Sequence, residues 1–170
     1  MSLISKPTYL IAELEGDVEP LVLGMRRQFN PGHEKWPVDI SLAGSSGIGT
    51  VKEGQDLKAV IRLLAPIIEK HAFAELEFLG TSRFPGTGIY FLAPARPAFD
   101  AIHHAVAASG VEFNPNQWPF NPHCTLRVGP SASEEVDLLL HSIQLPSLSH
   151  VGCFSLYQPA QYGGERLYRF

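Results

Sequence analysis

The chain has 170 residues, of which 45% are hydrophobic and 18% are charged, and its net charge is −4. This composition is typical of a soluble globular protein with a buried core, and the length predicts one two-lobed domain over residues 1–170. The acidic balance excludes a broad basic surface for long duplex nucleic acid. A short nucleotide or an RNA terminus held by a few cations remains compatible with it.

The hydrophobic pattern and the turn residues predict alternating helices and strands along the chain. In chain order these are a strand (8–14), a helix (17–29), a strand (38–42), a helix (56–70), strands (74–79 and 88–92) separated by a turn-rich connection (81–86), a helix (97–109), a brief strand (111–113), a loop (114–122), a strand (124–128), a helix capped by Ser133, and two final strands (152–157 and 167–170). This mixture predicts an α+β fold with mainly antiparallel sheets and flanking helices.

Neither a membrane-spanning stretch nor a signal-peptide pattern is visible, so the sequence predicts no membrane partner and a cytoplasmic location. The two cysteines, Cys124 and Cys153, lie in apolar strand-like segments. We therefore expect reduced, buried thiols rather than a disulfide. The sequence leaves the oligomeric state open.

The most informative segment is residues 121–127, which read Asn-Pro-His-Cys-Thr-Leu-Arg. We call it the second motif, because a similar segment occurs earlier in the chain. In an extended strand, alternate side chains share a face, so His123, Thr125 and Arg127 are expected to form one row. Imidazole titrates near neutral pH, and hydroxyl and guanidinium groups suit phosphate oxygens. The row is therefore predicted to handle a phosphate ester.

The first motif, residues 36–42, repeats this pattern in the other half of the chain, with Asp39 and Ser41 in the places of the histidine and the threonine. Each motif follows a helix and a loop, which suggests a weak internal symmetry. The economical arrangement is a duplicated, two-lobed body with the motif strands facing each other across a cleft.

A His-x-Ser/Thr-hydrophobic motif in each half is the signature of the two-histidine phosphoesterase superfamily, which includes the 2′-5′ RNA ligase-like proteins. The second motif matches this signature fully. The surrounding segments are also similar to the family: residues 9–14, 83–86, 89–92, 113–122 and 155–157. The chain thus resembles the superfamily over nearly its whole length.

The resemblance implies a bilobal antiparallel fold with a pseudo-twofold axis and a central cleft, and no metal or other cofactor. It also implies hydrolysis or reversible ligation of 2′,3′-cyclic or 2′-5′-linked phosphates in a nucleotide or RNA. One group must take a proton from the attacking water while another gives a proton to the departing sugar oxygen. We assign His123 as general acid and Asp39 as general base, with Thr125 and Ser41 holding the phosphate oxygens.

Asp39 is the departure from the family pattern. A carboxylate with an ordinary pKa of about 4 has no proton to donate at neutral pH, and it repels an anionic substrate. Either a cation offsets this charge, or Asp39 is held protonated, or the usual reaction is lost. The candidate cations are Arg127, Arg83 and Lys35.

Four further side chains are candidates for substrate binding. They are Arg127 and Arg83 as phosphate ligands, Trp118 as a stacking platform for a base, and Tyr157 in the cleft wall. Each of these side chains also has an explanation without a role in substrate binding. It is surface exposure for the arginines and packing for the aromatic residues. For Trp118 and its neighbour Phe120, packing is the favoured alternative.

Two functions follow from these residues. The first is a metal-independent phosphodiesterase that acts on 2′,3′-cyclic or 2′-5′-linked nucleotides or RNA. The second is an inactive protein of the same fold that binds a nucleotide or an RNA end, because Asp39 has ended turnover. A scaffold with an unused cleft is the remaining possibility.

Overall fold

The computed structural model describes residues 2–170. This part of the chain forms four α-helices and eight β-strands. The helices are α1 (Val18–Phe29), α2 (Leu57–His71), α3 (Pro97–Ala107) and α4 (Glu134–Ser142). The strands are β1 (Tyr9–Gly16), β2 (Asp39–Ala43), β3 (Glu75–Leu76), β4 (Phe78–Arg83), β5 (Tyr90–Pro94), β6 (Cys124–Arg127), β7 (Ser149–Pro159) and β8 (Gly164–Arg169).

Two antiparallel sheets divide the strands between them. One has the order β2-β1-β7-β3, with β8 also paired to β7, and the other has the order β4-β5-β6. The two strands that carry the motifs, β2 and β6, each lie at an edge of their own sheet. The predicted α+β class with antiparallel sheets is confirmed.

A single hydrophobic core joins the helices to both sheets. On the motif strands, Ile40, Leu42, Cys124 and Leu126 are fully buried in it. Alternation along a strand then turns the intervening polar residues of both motifs away from the core. The alternation of apolar and polar residues that predicted these strands therefore also decides which motif side chains face away from the core and can contact a substrate.

Most predicted elements are confirmed with shifts of a few residues at their ends. The N-caps show why these ends were visible in the sequence. Asp56 accepts a hydrogen bond from the Lys58 amide, and Ser133 accepts one from the Val136 amide. Both cysteines are free, with Cys124 buried and Cys153 half-buried.

The predicted strand over residues 74–79 is wrong as a single element. The chain passes from one sheet to the other at Glu77, so β3 pairs with β7 while β4 pairs with β5. Apolar and charged residues alternate across this point without interruption, from Glu75 to Phe78, so the sequence pattern gives no sign of the change of partner. The connection predicted over residues 81–86 is also shorter, because Thr81 and Arg83 pair with β5.

The brief strand predicted over residues 111–113 is reduced to one bridge between Phe113 and Val51. The backbone of Glu112, in the middle of the predicted strand, bonds to residues 52 and 55. The Glu112 carbonyl accepts from the Lys52 amide, and the Glu112 amide donates to the Gln55 side chain. Within residues 2–170, no helix has both the length and the apolar character needed to cross a membrane.

Candidate active site

The two motif strands meet although they belong to different sheets. Strand β2 contacts strand β6, with the Cys124 thiol beside the main chain of Asp39. A guanidinium group from α1, that of Arg26, donates to carbonyl groups of both motif segments. Residues more than eighty positions apart in sequence are thereby held beside each other, and Cys124 is the direct neighbour of His123.

The His123 side chain is largely enclosed by aromatic rings. Its imidazole makes edge contacts with Phe84 and Phe91, at centroid distances of 5.0 and 5.4 Å. Nδ1 lies 2.6 Å from the Asn121 carbonyl oxygen, which fixes Nδ1 as the protonated nitrogen and leaves Nε2 as the reactive one. Burial lowers the pKa of His123, and the bond to the carbonyl partly offsets this effect.

Strand β6 does not present the predicted row of three residues. Thr125 pairs with Phe91, but a register shift makes Arg127 pair with Tyr90, the preceding residue of β5. Because consecutive residues of β5 face opposite sides, Arg127 lies on the opposite side of the sheet from Thr125. The expectation that Arg127 shares a face with His123 and Thr125 is wrong for this reason.

The two candidate phosphate ligands instead flank the buried Tyr90 ring. The guanidinium carbons of Arg83 and Arg127 lie 5.9 and 5.7 Å from the ring centroid. Arg83 donates to the Thr87 carbonyl, and Arg127 donates to the carbonyls of Gly88 and Ser131. These contacts give both arginines a packing role in the second sheet.

On β2, Asp39 and Ser41 share a face, as the alternation predicted, and the Ser41 hydroxyl lies 3.4 Å from the Asp39 carboxylate. Glu13 of β1 is the cross-strand neighbour of Asp39. Burial raises the pKa of Asp39 to about 6, and the Glu13 charge adds to the rise, whereas the Arg26 charge and the Ser41 hydrogen bond oppose it. Asp39 thus titrates near the ordinary range of a histidine.

The cation that faces Asp39 is Arg26, which the sequence analysis did not identify. Arg127 and Arg83 are engaged around Tyr90, and Lys35 lines the same cavity as Glu13 and Tyr157, but the cation that lowers the Asp39 pKa is Arg26. A signal was present in the sequence, because Arg26 follows Val18 and Val22 at a spacing of four and so falls on the buried face of α1.

Next to Asp39, an ion pair lines a cavity of about 470 Å³. Arg166 binds both carboxylate oxygens of Glu13, at 2.8 and 2.5 Å, and the Ser155 hydroxyl also donates to Glu13. Burial would raise the pKa of Glu13, but these hydrogen bonds outweigh it and lower the pKa. Tyr157, a predicted cleft residue, lines the same cavity, and burial raises its pKa.

The two aromatic residues before the second motif differ in their surroundings. Phe120 stacks on His103 at a centroid distance of 3.7 Å, so it anchors the loop. Trp118 is 62% exposed although its backbone is fixed by the Gly47 amide and the Asn116 side chain. The Trp118 ring borders a shallow cavity of about 640 Å³.

Within residues 2–170, no three side chains of the histidine, cysteine, aspartate or glutamate type cluster in a way that could hold a metal ion. The candidate site residues are Asp39, His123, Ser41 and Thr125, and Arg26 links the two motif segments that carry them.

The family model of the 2′-5′ RNA ligase superfamily matches residues 11–151, which include both motifs. The chain belongs to this superfamily. A search of curated proteins finds no match to the chain.

Several solved structures have the same fold as this chain, although their sequence identity to it is low. E. coli LigT complexed with 3′-AMP has a TM-score of 0.58 and 19% identity, with 97% of each chain covered. The protein TT0787 of Thermus thermophilus has a TM-score of 0.59 and 17% identity, again with 97% of each chain covered. A crystal structure of a phosphoesterase also has a TM-score of 0.59 and 17% identity, covering 98% of this chain and 97% of the other.

The raised pKa of Asp39 predicts a pH-dependent cost to folding. Between the ordinary pKa of about 4 and the folded value of about 6, the unfolded chain ionises first, so stability falls as pH rises through this window. Asp39→Asn removes this cost. Its advantage in free energy of unfolding over the wild type should grow by about 2–3 kcal/mol from pH 4 to pH 8.

Urea unfolding at both pH values measures this difference. The matched control is Glu69→Gln, which removes an exposed carboxylate on α2. A difference that grows equally in both variants would contradict a destabilised charge at the half-buried Asp39.

Proposed function

We propose that the protein is a phosphodiesterase that acts on the 2′,3′-cyclic or 2′-5′-linked phosphate of a nucleotide or an RNA terminus. The observation that carries this proposal is the convergence of the two motif strands around Arg26. The strands that meet there carry Asp39, Ser41 and Thr125, and His123 directly precedes β6, which supports the proposal that these four residues act together. Membership of the superfamily supports a phosphoesterase or ligase reaction.

In the proposed reaction, the Asp39 carboxylate accepts a proton from a water molecule as the water attacks phosphorus. His123, protonated at Nε2, then donates that proton to the departing sugar oxygen. Asp39 and His123 together therefore hold one transferable proton before and after the step. The hydroxyl groups of Ser41 and Thr125 donate to the non-bridging oxygens as negative charge redistributes among them. The 3.4 Å contact between Ser41 and Asp39 is long for a bond between oxygens, so the hydroxyl can turn to a phosphate.

The two pKa shifts move the pKa values of the acid and the base towards each other. The pKa of Asp39 rises to about 6, while burial lowers the pKa of His123 from its ordinary value near 6.5. A pair that needs one proton is then most active in mildly acidic solution. The same pair can exchange roles in the reverse direction, as a reversible ligation requires.

Nucleotide recognition is proposed at Trp118 and Tyr157. The exposed Trp118 ring provides a face on which a base can stack, and its anchored backbone reduces the entropy lost on binding. Tyr157 lies in the cavity next to Asp39 and Glu13. Among proteins of similar fold, E. coli LigT has been crystallised with 3′-AMP and with ATP.

The competing function is nucleotide binding without turnover. Its basis is the charge of Asp39, which repels a phosphate by about 4 kcal/mol at 4 Å and an effective dielectric constant of 20. Arg26 offsets part of this repulsion from inside the protein. The phosphodiesterase is favoured because a group that titrates near pH 6 can still accept and hold a proton at physiological pH.

The wild-type protein should convert 2′,3′-cyclic nucleotides into monophosphates without added metal, with an optimum near pH 6 rather than at pH 8. Phosphorus NMR of the products, together with calorimetry of cyclic and linear nucleotides, measures this. Binding without product at any pH would instead support the binding protein. Neither binding nor product would leave the cleft without a nucleotide ligand and contradict both functions.

A further inference from the structure

Arg26 is the most deeply buried charged side chain near the site, with 3% of its surface exposed. Its Nε and Nη2 atoms donate to the Thr125 carbonyl at 3.2 and 2.9 Å. Its Nη1 atom donates to the carbonyls of Trp36 and Pro37, at 3.1 and 2.9 Å. One guanidinium group therefore binds the main chain of both motif segments.

The surroundings of this guanidinium leave its positive charge available to the site. Within residues 2–170, none of the ion pairs with nitrogen–oxygen distances up to 4.0 Å includes Arg26. All its hydrogen-bond acceptors are neutral carbonyls. Its charge acts on the Asp39 carboxyl group and on the Cys124 thiol, and it lowers the pKa of both.

A second contact from the end of the same helix supports the arrangement. The Asn30 side chain donates to the Val128 carbonyl at 2.7 Å and accepts from the Val128 amide at 2.8 Å. This reciprocal pair imitates the hydrogen bonding of a neighbouring strand at the end of β6. Helix α1 thus fixes β6 at two points, and it fixes the first motif segment through Arg26.

We propose that Arg26 is a positioning residue, which sets the separation of the two motif strands and places a buried positive charge opposite the Asp39 carboxylate. The inference rests on the proposed function for its catalytic meaning. Its structural content, a link between strands and a charge near Asp39, can be measured without turnover.

An arginine suits this position better than a lysine. Its planar guanidinium presents several N–H groups in fixed directions, so it can bind three carbonyls while it remains charged. A lysine ammonium is a compact charge on a flexible stem and cannot reproduce the paired bonds to Thr125. Arg26→Lys therefore separates the charge from the geometry.

The test of the charge is a carbon NMR titration of Asp39 in the wild type, Arg26→Met and Arg26→Gln. Loss of a neighbouring opposite charge should raise the Asp39 midpoint by about one pH unit or more. Arg27→Gln is the matched control, since Arg27 is the next residue of α1 and is exposed. It should leave the midpoint unchanged. An unchanged midpoint in folded Arg26→Gln would overturn the proposal.

Several other groups face Asp39 and must be followed in the same titration. They are Tyr9 and Glu13 on β1, Cys124 on β6 and Tyr157 on β7, with Arg166 on β8 acting through Glu13. Glu13 is the other carboxyl among these groups, and its pKa is lowered whereas that of Asp39 is raised. Spectra of Asp39→Asn and Glu13→Gln assign the two carboxyl signals.

The test of the geometry uses Arg26→Lys and amide hydrogen exchange, and it also serves if the neutral variants do not fold. Exchange at the β2 and β6 amides should accelerate at least about tenfold, because the motif strands lose their common link, while the Asp39 midpoint moves little. Unchanged exchange would overturn the positioning role. If the wild type has no phosphodiesterase activity but both readouts change as expected, the proposed function fails and this inference stands.

Discussion

Replacing His123 with alanine should lower the rate of 2′,3′-cyclic nucleotide hydrolysis by about a hundredfold to ten-thousandfold, the usual contribution of a positioned acid or base. The structure gives the physical reason. Nδ1 is held by the Asn121 carbonyl, so Nε2 is the single nitrogen free to exchange a proton with a substrate. Loss of the imidazole should reduce kcat much more than it raises KM, because the proton transfer belongs to the transition state.

The matched control is His104→Ala, which removes an exposed imidazole from α3. It should keep wild-type kinetics. Because His123 packs against Phe84 and Phe91, the alanine variant also leaves a gap, and His123→Gln provides a bulkier neutral replacement. Thermal unfolding of each variant separates lost chemistry from lost structure. Equal rates in the wild type and both His123 variants would contradict the catalytic assignment.

Local sequence patterns predicted the elements and the outward faces of the motif strands, because alternation and helix caps depend on neighbouring residues. The predictions for Arg127 and for residues 74–79 were wrong for a different reason. A register shift between β5 and β6 turns Arg127 towards Tyr90, and a change of sheet at Glu77 divides a segment in which apolar and charged residues alternate without a break. Both features are set by the partner strand, which alternation within one segment does not describe.

The family resemblance predicts that Asp39, Ser41, His123 and Thr125 act together, and this grouping stays a prediction. The contact between β2 and β6 is consistent with it. The predicted cations, Arg127, Arg83 and Lys35, lie in or beside the motifs and in the turn-rich connection, whereas Arg26 lies in a helix. An arginine in the apolar stripe of a helix is costly to bury without partners, so its position in α1 is itself a sign of a structural or electrostatic role.

The Asp39 side chain gives the second large expected effect, through a pair of substitutions. Asp39→Asn should lower the hydrolysis rate by about a hundredfold or more, since an amide cannot accept the proton from water. The variant should be as stable as the wild type or more stable at neutral pH, so the loss cannot come from unfolding. Asp39→His should retain turnover, because imidazole can accept that proton.

The histidine variant should also bind the anionic substrate more tightly and show a higher pH optimum than the wild type. Imidazole is neutral when deprotonated, so it does not repel the phosphate as the carboxylate does. Initial rates from pH 5 to pH 8 for the wild type and the two variants measure these effects. Full activity in Asp39→Asn would exclude Asp39 as the base. An inactive wild type that gains turnover in Asp39→His would show instead that the carboxylate ended catalysis in this chain and left a nucleotide-binding protein.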